Sequence, residues 1–131
     1  MGKKFRLVIP RKPPPTGNRL SRLHWTKKRE IKKLWQDEVA IAAILAGKPR
    51  LQRAKVQIVL YYRVIRRRDS DNLMGGAGKF LLDGLRYAGV IPDDDQLTIE
   101  VCEPKVVIDR ERPRVEIELT ELEGGVEFDG E

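Results

Sequence analysis

Two kinds of reactive side chain follow each other closely in the middle of this 131-residue chain. Residues 66–79, RRRDSDNLMGGAGK, contain two aspartates, Asp69 and Asp71, and then a glycine-rich run that ends at Lys79. A glycine loop with a lysine can bind a nucleotide phosphate, whereas two carboxylates beside arginines can hold a metal ion. The two arrangements predict different enzymes, and the spacing of the residues distinguishes them.

The nucleotide-binding interpretation fails at both of its diagnostic positions. A P-loop requires a glycine, four further residues, Gly-Lys and then a hydroxyl residue for magnesium. Counted from Gly78-Lys79, the glycine position holds Leu73 and the hydroxyl position holds Phe80. The glycines at 75, 76 and 78 are instead predicted to loosen a loop and to postpone the start of the following helix.

The aspartates fit the geometry of a cation site. Residues two apart on an extended chain point the same way, so Asp69 and Asp71 present two carboxylates roughly 6–7 Å apart along the backbone. One acid of the run at 93–95 could complete an oxygen-ligand site for Mg²⁺ or Mn²⁺. The alternative is that Asp69 pairs with a neighbouring arginine and that the later acids form an ordinary turn. Spacing alone leaves these two interpretations level.

The charge of the chain indicates a polyanionic partner. Its net charge is +6, but residues 116–131 contain seven acids and no Lys or Arg, which leaves 26 bases against 13 acids on residues 1–115. This excess favours nucleic acid, with a solvated basic surface as the alternative. Aromatic residues form only 6% of the chain and do not alternate with the bases. Contact with duplex phosphates therefore fits better than base stacking.

The single cysteine and the single histidine exclude several classes of site. Cys102 cannot form an internal disulfide, and His24 cannot by itself build a histidine metal site or a catalytic triad. His24 is expected to pack or to hydrogen-bond to the backbone, and Trp25 and Trp35 are expected to lie in the core. No early apolar run suggests a signal peptide or a membrane span, so the sequence predicts a soluble, cytoplasmic protein.

The hydrophobic pattern predicts an α+β fold, a single domain in which a central β-sheet is flanked by two main helices. Strands are predicted at residues 5–9, 56–65, 97–101, 105–108 and 115–119, and helices at residues 26–46 and 77–88. The order is roughly βαβαββ, and the strand at 56–65 is apolar on both faces and therefore central. Gly47 and Gly89 are predicted to end the two helices.

The first turns of the first helix carry five cations, Lys27, Lys28, Arg29, Lys32 and Lys33. Cations at this end oppose the helix macrodipole, so they do not serve helix stability. They indicate either a phosphate partner or a solvated face.

Three ordered motifs resemble the RusA family of Holliday junction resolvases. They are RDSDNL at 68–73, KFLLDGL at 79–85 and GVIPDDDQL at 89–97. PPTGNR at 14–19 and HW at 24–25 resemble the amino-terminal loop of that family, so the resemblance extends up to about Leu119. It implies a small dimeric endonuclease that binds four-way DNA junctions and cuts paired strands with Mg²⁺.

The resemblance also implies roles for individual residues. Asp69, Asp71 and Asp94 would bind the metal, and Lys79 would be the functional lysine at the start of a helix. One departure is that six residues separate Asn72 from Lys79, where the family pattern has two. A widened glycine loop would leave Lys79 in place, whereas helical extra residues would advance it by about 6 Å along the axis.

The basic residues and the resemblance together predict the DNA contacts and the limits of the domain. The nuclease domain is predicted over residues 1–122, with an acidic, flexible tail at 123–131. Two other functions stay open: a DNA-binding module that does not cut, and a metal-dependent nuclease for flaps or duplexes. The side chains predicted to contact DNA are Arg19, Lys27, Lys28, Lys32, Arg66, Arg67 and Arg68.

Overall fold

The computed structural model describes residues 2–65, 73–93 and 98–123. The strands are β1 (Lys4–Ile9), β2 (Ala54–Tyr62), β3 (Ile99–Val101), β4 (Lys105–Ile108) and β5 (Arg114–Glu121). The helices are α1 (Gly17–Ser21), α2 (Trp25–Leu45) and α3 (Lys79–Tyr87), and a π-helical turn, Met74–Gly78, runs directly into α3. The five strands form one sheet with helices packed on it, which confirms the predicted α+β fold.

The order of the strands makes β2 central and gives the sheet two distinct ends. β5 lies between β1 and β2 and is antiparallel to both, while β3 and β4 pair in parallel with the other side of β2. β1 and β2 are therefore parallel to each other. We call the end at which they finish, at Ile9 and Tyr62, the carboxyl end of the sheet. A helix that joins two parallel strands must run back across the sheet, so α2 and the helical segment 74–87 both start at this end.

β3 and β4 behave as one edge strand with an extra residue. Val56 pairs with Val101 and Val59 with Lys105, so two residues of β2 lie opposite three of its partner. Pro104 falls in this bulge, because proline has no N–H to donate to the ladder. The Gln57 side chain donates to the Glu103 carbonyl at 2.8 Å and bridges the interruption. The predicted order βαβαββ has one strand fewer than the five that were predicted individually and that the structure contains, and it lacks the short helix α1.

The core lies between one face of the sheet and the helices. Val115, Ile117 and Leu119 of β5 are fully or almost fully buried, and they alternate with polar residues of the other face, as predicted. On the helix side, Trp35 and Val39 of α2 meet Leu81 and Leu85 of α3 in the same cluster. The expectation that Trp35 is a core residue is confirmed.

The predicted ends of the two helices are confirmed to within one or two residues. Gly47 and Gly89 have positive φ angles of 96° and 78° and follow the last helical turns. Gly89 N–H donates to the Arg86 carbonyl, and the next N–H donates to Leu85, which is the Schellman arrangement. Glycine adopts this left-handed conformation without a Cβ penalty.

The prediction that β2 continues to residue 65 is wrong. β2 ends at Tyr62, opposite Ile108, and Val64 and Ile65 are 48% and 78% exposed. Its neighbours explain the end, because β4 stops at Ile108 and β5 begins at Arg114 opposite Tyr61. Beyond this point, no strand of the described residues offers hydrogen bonds to continue the ladder.

The prediction of a loosened loop at the glycines is also wrong. Met74 to Gly78 form a π-helical turn, and Lys79 continues it with helical φ and ψ of −62° and −45°. The low helix propensity of glycine is overridden here by packing, since Gly76, Ala77 and Gly78 are buried. Within the described ranges, no helix is both long enough and apolar enough to cross a membrane.

Candidate nucleic-acid interface

The described residues include the segments on either side of the predicted acid site, but not its three aspartates. Asp69, Asp71 and Asp94 lie outside the described residues, as do Arg66, Arg67 and Arg68. The metal-binding and arginine assignments therefore stay predictions. Among residues 2–65, 73–93 and 98–123, no three His, Cys, Asp or Glu side chains come close enough together to hold a metal ion.

The segments on either side of the acid motif in sequence lie at the carboxyl end. β2 finishes there at Tyr62, and the chain enters the helical segment there at Leu73, which is only 2% exposed. Asp93, the first acid of the second motif, is exposed, but the segment before it lies at the other end of the sheet. Val90 accepts a hydrogen bond from the Leu51 N–H at 2.7 Å, and the following strand, β3, starts beside the first residue of β2. Of the two acid motifs, only the first is therefore flanked by segments at the carboxyl end, where ligand sites in sheets of this kind usually lie.

The amino-terminal loop packs directly on the π-helical turn. A Cβ atom added to Gly76 would lie 2.6 Å from the Gly17 nitrogen and would also collide with the Pro15 carbonyl oxygen. These obstacles are backbone atoms, so rotation of a side chain could not relieve the collision. Thr16 fixes the loop locally by accepting a hydrogen bond from the Arg19 N–H at 3.5 Å, at the start of α1. Two of the motifs noted in the sequence are thereby held in contact.

Lys79 is exposed at the first position of α3. Because the residues before it are helical, it lies more than one helical turn beyond Leu73. The alternative of a widened loop that leaves the lysine in place is therefore excluded by the fold of 74–78. Asp83, one turn further along, forms an ion pair with Arg86 at 3.7 Å.

The amino-terminal end of α2 carries the predicted DNA-contacting lysines at the same end of the domain. His24 caps the helix by accepting a hydrogen bond from the Thr26 N–H through Nδ1 at 3.2 Å, which confirms its expected bond to the backbone. Lys32 is exposed and Lys28 half-buried, while Lys27 contacts Glu30 at 3.6 Å. An exposed pair of this kind is weak in water, so Lys27 stays available to a phosphate.

Trp25 is the clearest error among the sequence expectations for this region. It is 59% exposed rather than buried, and the Arg29 guanidinium lies 4.5 Å from the centre of its ring. The expectation treated the two tryptophans alike. Trp25 is the first residue of α2, ten residues before the buried Trp35, and its neighbours Thr26 and Lys27 in the first turn are exposed as well.

Arg114 organises a second polar cluster, on the sheet face opposite the helices. Its guanidinium lies 2.8 Å from Glu116 and 2.9 Å from Asp109, and it stacks 3.6 Å from the centre of the Tyr61 ring. The hydrogen bond to Glu116 is the main reason that the pKa of Arg114 is raised. Sequence reasoning missed this cluster, because its members come from β2, from β5 and from the turn before β5.

Asp109 closes the turn between β4 and β5. Its carboxylate accepts hydrogen bonds from the backbone N–H groups of Glu111 and Arg112 at 3.1 and 3.0 Å. The bond from Arg112, followed by the bond from Arg114, holds the pKa of Asp109 below its ordinary value. The turn is thus rigidly closed beside the groove that Arg63, Val64, Ile65 and Arg110 line at this end of the sheet.

Comparison with known proteins agrees with the motifs. A search of curated proteins found no match. The sequence profile described as endodeoxyribonuclease RusA matches residues 10–120, which include the amino-terminal loop, both acid motifs and every element from α1 to β4. A match over this much of the chain identifies its relatives, and the protein belongs to the RusA family of endodeoxyribonucleases.

Proposed function

We propose that the protein is a metal-dependent endonuclease that cuts paired strands of four-way DNA junctions. The observation that carries the proposal is the family match over residues 10–120, a range that spans the three aspartates and Lys79. The large basic excess of residues 1–115 and the exposed lysines of α2 support a DNA substrate.

In this proposal Asp69, Asp71 and Asp94 hold Mg²⁺, with Mn²⁺ as a substitute. Carboxylate oxygens are the ligands that both cations prefer, and none of the three acids needs to react covalently with DNA. When bound, such a cation neutralises the phosphate and makes the attacking water more acidic. The acids themselves position the cation and repel DNA when it is absent.

Lys79 is proposed to stabilise the negative charge that develops on the scissile phosphate. Its exposure supports this role, because the ammonium group is open to a phosphate; the helical residues before it place it beyond the first turn, where the helix dipole adds little. Arg19, Lys27, Lys28 and Lys32 then hold the phosphates further from the cut, together with the arginines at 66–68. These contacts supply affinity and orientation.

The active form is proposed to be a homodimer. A four-way junction contains pairs of strands related by approximate two-fold symmetry, and each chain has one candidate acid site. Two copies related by a two-fold axis would present one site to each strand. Sedimentation at micromolar concentration should give the mass of a dimer, and paired cutting by a monomer would contradict this part of the proposal.

The decisive experiment is the Asp71→Asn substitution, tested on a labelled four-way junction. Single-turnover cutting in Mg²⁺ should fall by at least about 100-fold, because the metal is expected to contribute several kcal/mol to catalysis. Junction affinity should stay the same or rise in metal-free buffer, since a negative charge is removed beside phosphate. Full cutting by the variant, or an equal loss of binding and cutting, would overturn the assignment.

Lys79→Ala provides a second test, with Lys48→Ala as a matched control. Both lysines are exposed, but Lys48 follows the end of α2, at the other end of that helix from the predicted DNA-contacting lysines. Lys79→Ala should lower single-turnover cutting by at least about tenfold, and Lys48→Ala should leave it unchanged. Equal effects would mean that Lys79 contributes only general charge.

A further inference from the structure

The exposed ring of Trp25 is the feature of this surface that phosphate binding does not explain. The chain has two tryptophans, of which Trp35 is 3% exposed and Trp25 is 59% exposed. The Arg29 guanidinium lies 4.5 Å from the Trp25 ring centre, and the His24 ring centre lies at 5.5 Å. A large aromatic group held by two neighbours but still open to solvent is a pre-formed stacking surface.

The ring belongs to a continuous face of α2 whose character changes along the helix. Trp25, Lys28, Arg29 and Lys32 are spaced i, i+3, i+4 and i+7, so they lie on one side of the helix. The same side continues to Val39, which is fully buried in the core. The inward face is thus apolar where the helix covers the sheet and becomes aromatic and cationic where it extends beyond it.

The exposed part of this face lies at the end of the domain where the chain re-enters the fold at Leu73 after the first acid motif. α2 and α3 run in the same direction, and they touch where Gly84 meets Val39. Val39 is 14 residues after Trp25, and Gly84 is 11 residues after Leu73. At about 1.5 Å per residue, this places Trp25 within roughly 5 Å of the level of Leu73 along the helix axes.

We propose that Trp25 stacks on an unstacked nucleobase of the DNA substrate, while Lys28 and Lys32 bind the adjoining phosphates. The inference deepens the proposed function, because it assumes that DNA is the substrate. Four observations converge on this ligand: an open aromatic face, a guanidinium that fixes the ring, cations one turn away on the same side, and proximity to the start of the nuclease motifs. Aromatic side chains stack on any base, which suits a nuclease that selects DNA by its shape.

The first test uses the fluorescence of the unmodified full-length protein. A four-way junction, a single strand of thymidines and a blunt duplex are titrated separately, in metal-free buffer, to prevent cutting. The junction and the single strand should quench the Trp25 emission, because both can offer an unstacked base, whereas Trp35 is buried and acts as a constant background. Binding of the junction without quenching would overturn the proposal.

The second test compares Trp25→Ala, Trp25→Phe and the control Leu45→Ala, whose side chain is 80% exposed near the other end of α2. Trp25→Ala should weaken junction binding by about 5- to 150-fold, the range measured for a single base stack, and Trp25→Phe should recover most of it. Blunt-duplex affinity should change less than twofold. Circular dichroism and thermal melting verify that each variant is folded.

Salt dependence separates stacking from charge. Trp25→Ala should leave the slope of log K against log salt unchanged, whereas Lys28→Ala and Lys32→Ala should each reduce its magnitude by up to about 0.9. An equal loss of affinity for all three DNAs would show that Trp25 supports the fold. A change in sedimentation without DNA would instead place it at a contact between copies, which also overturns the proposal. A wild-type protein that binds no DNA overturns the proposed function itself.

Discussion

Two glycines of one continuous helical segment, Gly76 and Gly84, allow close approach to quite different neighbours. Gly84, in α3, faces α2, where an added Cβ would lie 2.7 Å from a methyl group of Val39. Gly76, in the π-helical turn, faces the backbone of Pro15 to Gly17 in the amino-terminal loop. The first contact joins two helices over the core, and the second holds a loop beside the entry to the acid motif.

The difference shows that glycine serves two purposes in one helical segment. Gly84 lets two helices pack over the core, and Gly76 lets the amino-terminal loop lie against the π-helical turn. At Gly84 the neighbouring side chain belongs to Val39, a β-branched residue with a restricted rotamer. This contact therefore determines how closely α2 and α3 approach each other. At Gly76 the neighbour is the backbone of a loop, and we expect its displacement to disturb the core less than a shift of α2 would. Substitutions at the two glycines should therefore separate folding from DNA cutting.

Gly84→Ala should have the largest effect on stability. Overpacking of a helix interface costs about 1–3 kcal/mol, and the better helix propensity of alanine offsets up to about 1 kcal/mol of this. Urea unfolding should show the loss, while cutting per folded molecule stays near that of the wild type. An unchanged urea midpoint would mean that α2 and α3 move apart without cost, and Gly84 would then have no special role in stability.

Gly76→Ala should have the opposite profile. The loop must move away from the π-helical turn, and an error of about 1 Å near a reacting group can cost up to 100-fold in rate. We expect cutting to fall by at least about tenfold, with a smaller loss of unfolding free energy than for Gly84→Ala. Single-turnover cutting and urea unfolding, measured on the same preparation, give both quantities. If cutting and unfolding free energy fall together, as expected for a folding defect, Gly76 serves packing in the same way as Gly84.

Gly75→Ala is the matched control for that experiment. Gly75 lies in the same turn, but a Cβ added there meets nothing within 4 Å among the described residues. Alanine should therefore stabilise the helical segment by up to about 1 kcal/mol and leave cutting unchanged. Thermal melting and junction cutting verify the two parts, and a loss of cutting would show that the turn itself must stay flexible.

Asp109→Asn should have the smallest effect and provides a reference remote from both glycines. The pKa of Asp109 is lowered in the folded protein, so its stabilising effect is present above the unfolded value of about 3.9 and disappears as pH falls through the folded value. The wild type should melt slightly above the variant at pH 7, and the two should converge below about pH 4. A difference that grows on acidification would contradict the assigned sign.

The sequence predicted elements well where local chemistry and tertiary packing agree. β4 was predicted at its observed bounds, and Gly47 and Gly89 marked the helix ends because each takes a positive φ. Prediction failed where a distant contact decides the local structure. The π-helical turn exists because Gly76 meets Pro15, some 60 residues earlier in the chain, and no pattern near Gly76 reveals that neighbour.

The candidate site shows the same division. A hypothesis for its chemistry could be formed because three motifs occur in the order that a known family shares, although the spacing from Asn72 to Lys79 departs from it, and the family itself is now shown. The exposure of Trp25 could not be inferred, because periodicity assigns a side chain to a face but does not say where along the helix that face leaves the core. The cluster around Arg114 needed the register of β2 with β5.

The interruption between β3 and β4 has a consequence for how the molecule behaves in a crowded solution. An edge strand with a regular row of free amide and carbonyl groups invites another chain to add to it, which is how aggregates begin. Here Pro104 has no N–H to donate at the edge. The extra residue of the bulge also twists the edge, so a regular strand of another chain could not pair along its whole length. The opposite edge, β1, carries the exposed charges of Lys4 and Arg6. Both margins of the sheet are thus protected against pairing with another copy into fibrils.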